Sequence, residues 1–161
     1  MSDKPEDKTV ADDVLEAAEK AQEKKAVVIN RCFGGFSLSH KGVMLYAELK
    51  GIKLYPWVDE ITKRHFPDMD FDKAMIVHYS TVPVTCEADW KKLEDNNKYY
   101  FSCSDIKRDD EILIEVVKRL GKEANGPHAE LKIVKIPANA EWQIEEYDGV
   151  EHIAENHRTW D

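Results

Sequence analysis

The chain has 161 residues, of which 42% are hydrophobic and 34% charged, and a formal net charge of −9. That length buries one core without disulfides or a structural metal, and a body this acidic disfavours a nucleic-acid binder that works by neutralising phosphates. No apolar run approaches the roughly 18–20 residues that span a bilayer, and the first residues lack the apolar stretch of a secretory signal, so no membrane and a cytoplasmic setting are expected.

From Val10 to Lys24 the residues Val10, Val14, Leu15, Ala18 and Ala21 recur at three- and four-residue steps, which predicts a helix with one thin apolar stripe. Residues 1–25 therefore read as an N-terminal helical appendage, and residues 26–161 as a single domain. Ala26-Val27-Val28-Ile29 is β-branched without polar alternation, the pattern of a strand buried on both faces. After a loop, Ser37 or Ser39 can cap a helix carrying Val43, Leu45, Tyr46 and Leu49 and ending at Gly51. Trp57 to Phe66 predicts a short second helix entered through Pro56. Met75–Tyr79 and Lys98–Ser102 read as strands, with Trp90 to Asn97 as an irregular, turn-rich connection.

The strongest helical signal follows Asp109 and Asp110: Ile112, Leu113, Val116, Val117 and Leu120 form its stripe, and Gly121 or Asn125-Gly126-Pro127 stops it. Leu131 to Ile136 has strand composition, ended by Pro137. Trp142–Glu146 and Val150–Ala154 flank Tyr147-Asp148-Gly149, the signal of a tight hairpin. The order predicts an α/β (α+β) domain built on a mixed sheet with helices and a C-terminal β-hairpin.

Two loops carry the candidate chemistry. Asn30 to Ser39 joins a buried strand to a helix start, where adjacent Gly34 and Gly35 let backbone approach a ligand and free N–H groups receive an anion, with Arg31, Ser37 and Ser39 adding hydrogen bonds. It lacks the Gly-Lys-Ser/Thr of a P-loop and the spacing of a dinucleotide fingerprint. Phe101 to Asp110 repeats the plan, and if its strand lies parallel beside the first, Asp105 and Arg108 face the same crevice to read a sugar hydroxyl and a phosphate. A purely structural reading stands beside each: the glycines only shape a turn while Phe33 and Phe36 enter the core, and Asp105 and Asp109 only start a helix with Arg108 a solvated surface charge. Cys32, Cys86 and Cys103 show no CxxC spacing, which points away from a disulfide framework and a zinc site. His152 and His157 are poorly spaced for a metal. No residue is assigned a catalytic or metal role, and no cofactor is called for.

Three stretches of the sequence, Val28-Ile29-Asn30 through Cys32-Phe33-Gly34-Gly35-Phe36 to Leu38-Ser39, Arg108-Asp109-Asp110, and Ile144-Glu145-Glu146-Tyr147-Asp148-Gly149 running to His157-Arg158-Thr159-Trp160, resemble a family of small proteins of tailed bacteriophages and bacteria. The resemblance covers roughly residues 26 to 160, and the chain departs from it at Glu111, where a proline is expected. It implies a setting in which small proteins counter host immunity, inside the host cytoplasm. The leading expectation is a non-enzymatic binder of a small nucleotide or nucleotide-derived anionic ligand, a sponge for an immune signal such as a cyclic ADP-ribose-like molecule. The alternatives are an inhibitor that grips a host defence protein through its acidic surface, and a small hydrolase or transferase using a cysteine or carboxylate. Trp57, Trp90, Trp142 and Trp160 are many for a small acidic chain, and aromatic enrichment at interfaces predicts a homo-oligomer.

Overall fold

The computed structural model describes residues 23–58, 70–72, 74, 76–95 and 97–156. The expected N-terminal helix up to residue 22, the body of the expected Trp57–Phe66 helix, and Trp160 lie outside them. In chain order the described residues form β1 (Lys24–Asn30), α1 (His40–Lys50), β2 (Tyr55–Trp57), β3 (His78–Ser80), α2 (Glu87–Asp95), β4 (Tyr100–Phe101), α3 (Glu111–Leu120), β5 (Leu131–Pro137), β6 (Trp142–Tyr147) and β7 (Val150–Glu155), with short 3-10 turns before β4, before α3 and after it.

The chain folds as a mixed α+β domain. Its strands form three small antiparallel sheets, β1-β5, β2-β3-β4 and β6-β7, in place of the one mixed sheet expected. β1 pairs with β5 along its whole length, from Lys24 opposite Pro137 to Asn30 opposite Leu131. Lys24 and Lys25 are therefore strand residues, not the end of a helix. Val27 and Val28 have no solvent exposure, which is what an unalternated β-branched run demands.

The other edge of β1 meets a loop and a side chain instead of a second strand. Val28 N–H donates to the Arg108 carbonyl at 2.8 Å, and Asn30 N–H donates to Glu151 Oε2 at 2.7 Å. Every backbone donor that turns away from β5 must find such a partner, because a buried unpaired N–H costs as much as a lost hydrogen bond.

Helices α1 and α3 pack on this sheet and on each other, and Val28, Val43, Tyr46, Tyr79, Leu113 and Val116 share one core cluster. Ser39 caps α1 by accepting from Gly42 N–H, and Asp110 caps α3 by accepting from Ile112 and Leu113 N–H. The hairpin turns through Asp148 and Gly149, with φ of 50° and 82°, the positive pair that a two-residue hairpin needs.

Two segments differ from the sequence expectation. Pro56 and Trp57 end an edge strand, where a missing N–H breaks no ladder bond, so Pro56 does not open a helix. The segment Trp90 to Asn97, expected to be irregular, overlaps α2, whose start is tied by Thr85 N–H and Oγ1, both donating to Asp89 Oδ2. Among its described side chains Leu93 is buried.

A buried ion pair fastens the hairpin to the rest. The Arg108 guanidinium makes two parallel 2.8 Å hydrogen bonds to the Glu151 carboxylate, whose side chain is 5% exposed, and lies over the Phe36 ring at 3.4 Å from its centroid. Glu151→Ala removes the partner of a buried cation and of Asn30 N–H together. It is expected to lower stability by about 3–5 kcal/mol in urea unfolding, whereas replacing Arg108 and Glu151 together by Met and Leu costs less than either single change.

Candidate functional site

The glycine loop closes on protein. Gly34 N–H donates to the His128 carbonyl at 3.1 Å, and a side chain at Gly34 would collide with that carbonyl and with His128 Cβ. A side chain at Gly149 would strike the Phe33 carbonyl and Gly35 N, so the hairpin turn sits directly against the loop. Gly35 has φ of 81° and open space beside its Cα. The close backbone approach for which glycine was expected is thus occupied by His128 and Gly149.

Asn30 holds this arrangement from beneath. It is fully buried, its Nδ2 donates to the Cys32 and Gly149 carbonyls, and its Oδ1 accepts from Cys32 and Glu130 N–H. Both ends of the amide are satisfied, as burial requires.

The seven residues singled out from the sequence therefore separate. Gly34, Gly35 and Arg108 lie at the junction of loop and hairpin, and Arg108 is committed to Glu151. The parallel juxtaposition of the two loops does not occur, since β1 pairs with β5 and β4 with β3, both antiparallel. Arg31 is exposed and lines neither cleft described below. Ser37 and Ser39 line one cleft and Asp105 another. Their hydroxyls are partly engaged: Ser37 Oγ donates to the Pro127 carbonyl at 3.5 Å, and Ser39 Oγ donates to the Glu123 carbonyl while capping α1.

The first cleft, about 630 Å³, lies between the start of α1, strands β3 and β4, and the turn Asn125 to His128. That size suits a small organic ligand. One wall is a column of planar groups: His40 stacks on Tyr79 with ring centroids 5.8 Å apart and 13° between planes, and Phe71 lies 5.2 Å from His40 on a 31° tilt. His40 Nδ1 and Tyr79 Oη are 3.0 Å apart and hydrogen-bonded.

Burial lowers the His40 pKa from its ordinary value, and the nearby Asp72 and Asp70 carboxylates only partly restore it. Burial, and then the Cys103 thiol and Asp72, push the Tyr79 hydroxyl up. Both rings are neutral at pH 7, so the wall is polar without being charged. Ser102 and Cys103, in the turn that follows β4, complete the cleft.

The second cleft, about 460 Å³, shares Tyr100, Phe101 and Ser102 with the first and is lined further by Lys50, Asp105, Lys107 and Asp110. Lys50 Nζ donates to Asp110 Oδ2 at 2.8 Å.

Sequence reasoning missed His40, Phe71, Tyr79 and Tyr100 as site residues. They come from four separate segments, and only His40 carried a hint, its place directly after the α1 cap. Among the described residues no three His, Cys, Asp or Glu side chains gather as metal ligands. Comparison with protein-family models, with curated proteins and with solved structures returns no match.

Burial raises the Asp110 carboxyl, but the hydrogen bonds from Lys50 and from Leu113 and Ile112 N–H outweigh it and leave the pKa below its ordinary 3.8. A depressed carboxylate stabilises the fold above its unfolded pKa and loses that contribution as pH falls through the folded value. Asp110→Ala is therefore expected to cost about 1 kcal/mol at pH 7 and to cost progressively less below about pH 3.8, a difference that thermal melts across pH 2–7 will measure.

Proposed function

We propose that the protein is a non-enzymatic binder of a small nucleotide or nucleotide-derived ligand, whose planar base enters the first cleft. The observation that carries this reading is the wall formed by Phe71, His40 and Tyr79 in a cleft of about 630 Å³. Stacked neutral rings give a base a face to stack on, and Ser37, Ser102 and the His40 imidazole offer donors and acceptors at its edge.

The hydrogen bond between His40 and Tyr79 favours binding over catalysis. Each ring serves as the other's partner, and a hydroxyl whose pKa is pushed upward is a poorer nucleophile. In the bacteriophage setting that the sequence resemblance implies, such a binder acts as an anti-defence sponge that sequesters an immune signal. The acidic body lets a small molecule in while repelling long polyanions.

A second reading, grip on a host defence protein, has its own support. Phe33 and Tyr147 are 70% and 82% exposed, and they lie on the two turns that meet at Gly149. Exposed aromatics on a fixed scaffold serve as anchors for a protein partner or for a second copy of the chain.

Calorimetric titration with adenosine, guanosine, cytidine and their monophosphates tests the first reading. Binding by at least one probe is expected, and Phe71→Ala should weaken it about tenfold, the worth of one lost stacking contact. Absence of binding by every probe counts against the reading. Sedimentation at micromolar concentration tests the homo-oligomer: a dimer that dissociates on Phe33→Ser with Tyr147→Ser places the interface at these turns, and a wild-type monomer excludes it.

A further inference from the structure

The two clefts have one wall in common. Tyr100, Phe101 and Ser102 line both. Tyr100 is held in place by a 3.1 Å hydrogen bond between its hydroxyl and His78 Nδ1, yet 39% of its surface faces solvent. It stands as a low partition between a compartment of stacked rings and one with a different chemistry.

The second compartment carries charge. Lys50 is already paired with Asp110, which is itself occupied by capping α3. Among the described residues, the Asp105 and Lys107 side chains have neither a hydrogen bond nor an ion pair. They flank Ile106, which is 7% exposed and anchors the segment in the core. The two side chains thus project from a fixed stretch of backbone. An ammonium neutralises a phosphate oxygen, and a carboxylate accepts from sugar hydroxyls. With one uncommitted cation the compartment suits a single phosphate group rather than a polyphosphate.

We infer that the second cleft is a subsite for the sugar-phosphate half of the ligand, with Lys107 on the phosphate and Asp105 on a hydroxyl, so that a bound nucleotide lies across Tyr100. This rests on the base-binding role of the first cleft for its full form, but the subsite has chemistry of its own. It also gives Asp105 the hydroxyl role expected from the sequence and replaces Arg108, held by Glu151, with Lys107 as the phosphate's cation.

Nuclear magnetic resonance titration of the full chain with two separate probes tests it. Ribose 5-phosphate is expected to shift the amides of Asp105 and Lys107 while leaving His40 and His128 unmoved, and adenosine to shift His40 and His128 while leaving Lys107 unmoved. Lys107→Ala should weaken ribose 5-phosphate binding about tenfold or more, the worth of one hydrogen bond to a charged group, and leave adenosine affinity unchanged. Adenosine shifts at the first cleft with no ribose 5-phosphate response at the second overturn the subsite and leave the base-binding reading standing. Ribose 5-phosphate shifts that persist unweakened in Lys107→Ala also overturn it, and adenosine shifts absent from the first cleft count against the base-binding reading alone.

Discussion

Taking a carboxylate out of water is among the most expensive things a small domain can do, and here the Glu151 side chain is 5% exposed. The cost is offset by three directed donors: two from the planar Arg108 guanidinium and one from Asn30 N–H. Those donors belong to β1 and to the segment before α3, while the carboxylate belongs to the hairpin. One charge pair therefore fixes three parts of the chain. Asn30 extends the constraint by holding the Gly149 carbonyl, so the hairpin turn stays seated on the glycine loop. The stretch from Ser37 to His40, which enters the first cleft, inherits its position from that contact.

Elements whose signal is local were legible in the sequence. Val27 to Ile29, the α1 cap at Ser39, the α3 stripe and cap, and the Asp-Gly hairpin all follow from side-chain periodicity or from what a turn requires of its residues. What could not be read was pairing. Sequence shows that β1 is buried but not that its second edge is closed by a carbonyl and a carboxylate. The site suffers most from this. Gly34 looks like an opening for a ligand, yet it admits His128, and Arg108 looks like a phosphate contact, yet Glu151 claims it. The wall of the cleft was invisible because Phe71 and Tyr79 have no local pattern linking them to His40.

The electrostatics of the two clefts differ from those of the body around them. The chain carries a net charge of −9, and among the described residues the hairpin carboxylates Glu145, Glu146 and Asp148 face outward. The first cleft has neutral rings with Asp72 at its edge, and the second has balanced lysines and aspartates. Specificity in such a site comes from shape, stacking and a few hydrogen bonds, since no concentrated positive field draws anions in.

The Asn30 to Glu151 contact also sets a timetable for the chain's synthesis. The two residues are 121 positions apart, and β5, the other partner of β1, is itself more than 90 positions beyond it. At a ribosomal rate of about 5–20 residues per second, Val27, Val28 and Ile29 are made on the order of ten seconds before either edge of their strand can close. For that interval the most apolar strand of the protein has no neighbour of its own. The nascent chain thus carries β1 long before its fastener, and the strand's apolar side chains stay open to other contacts until then.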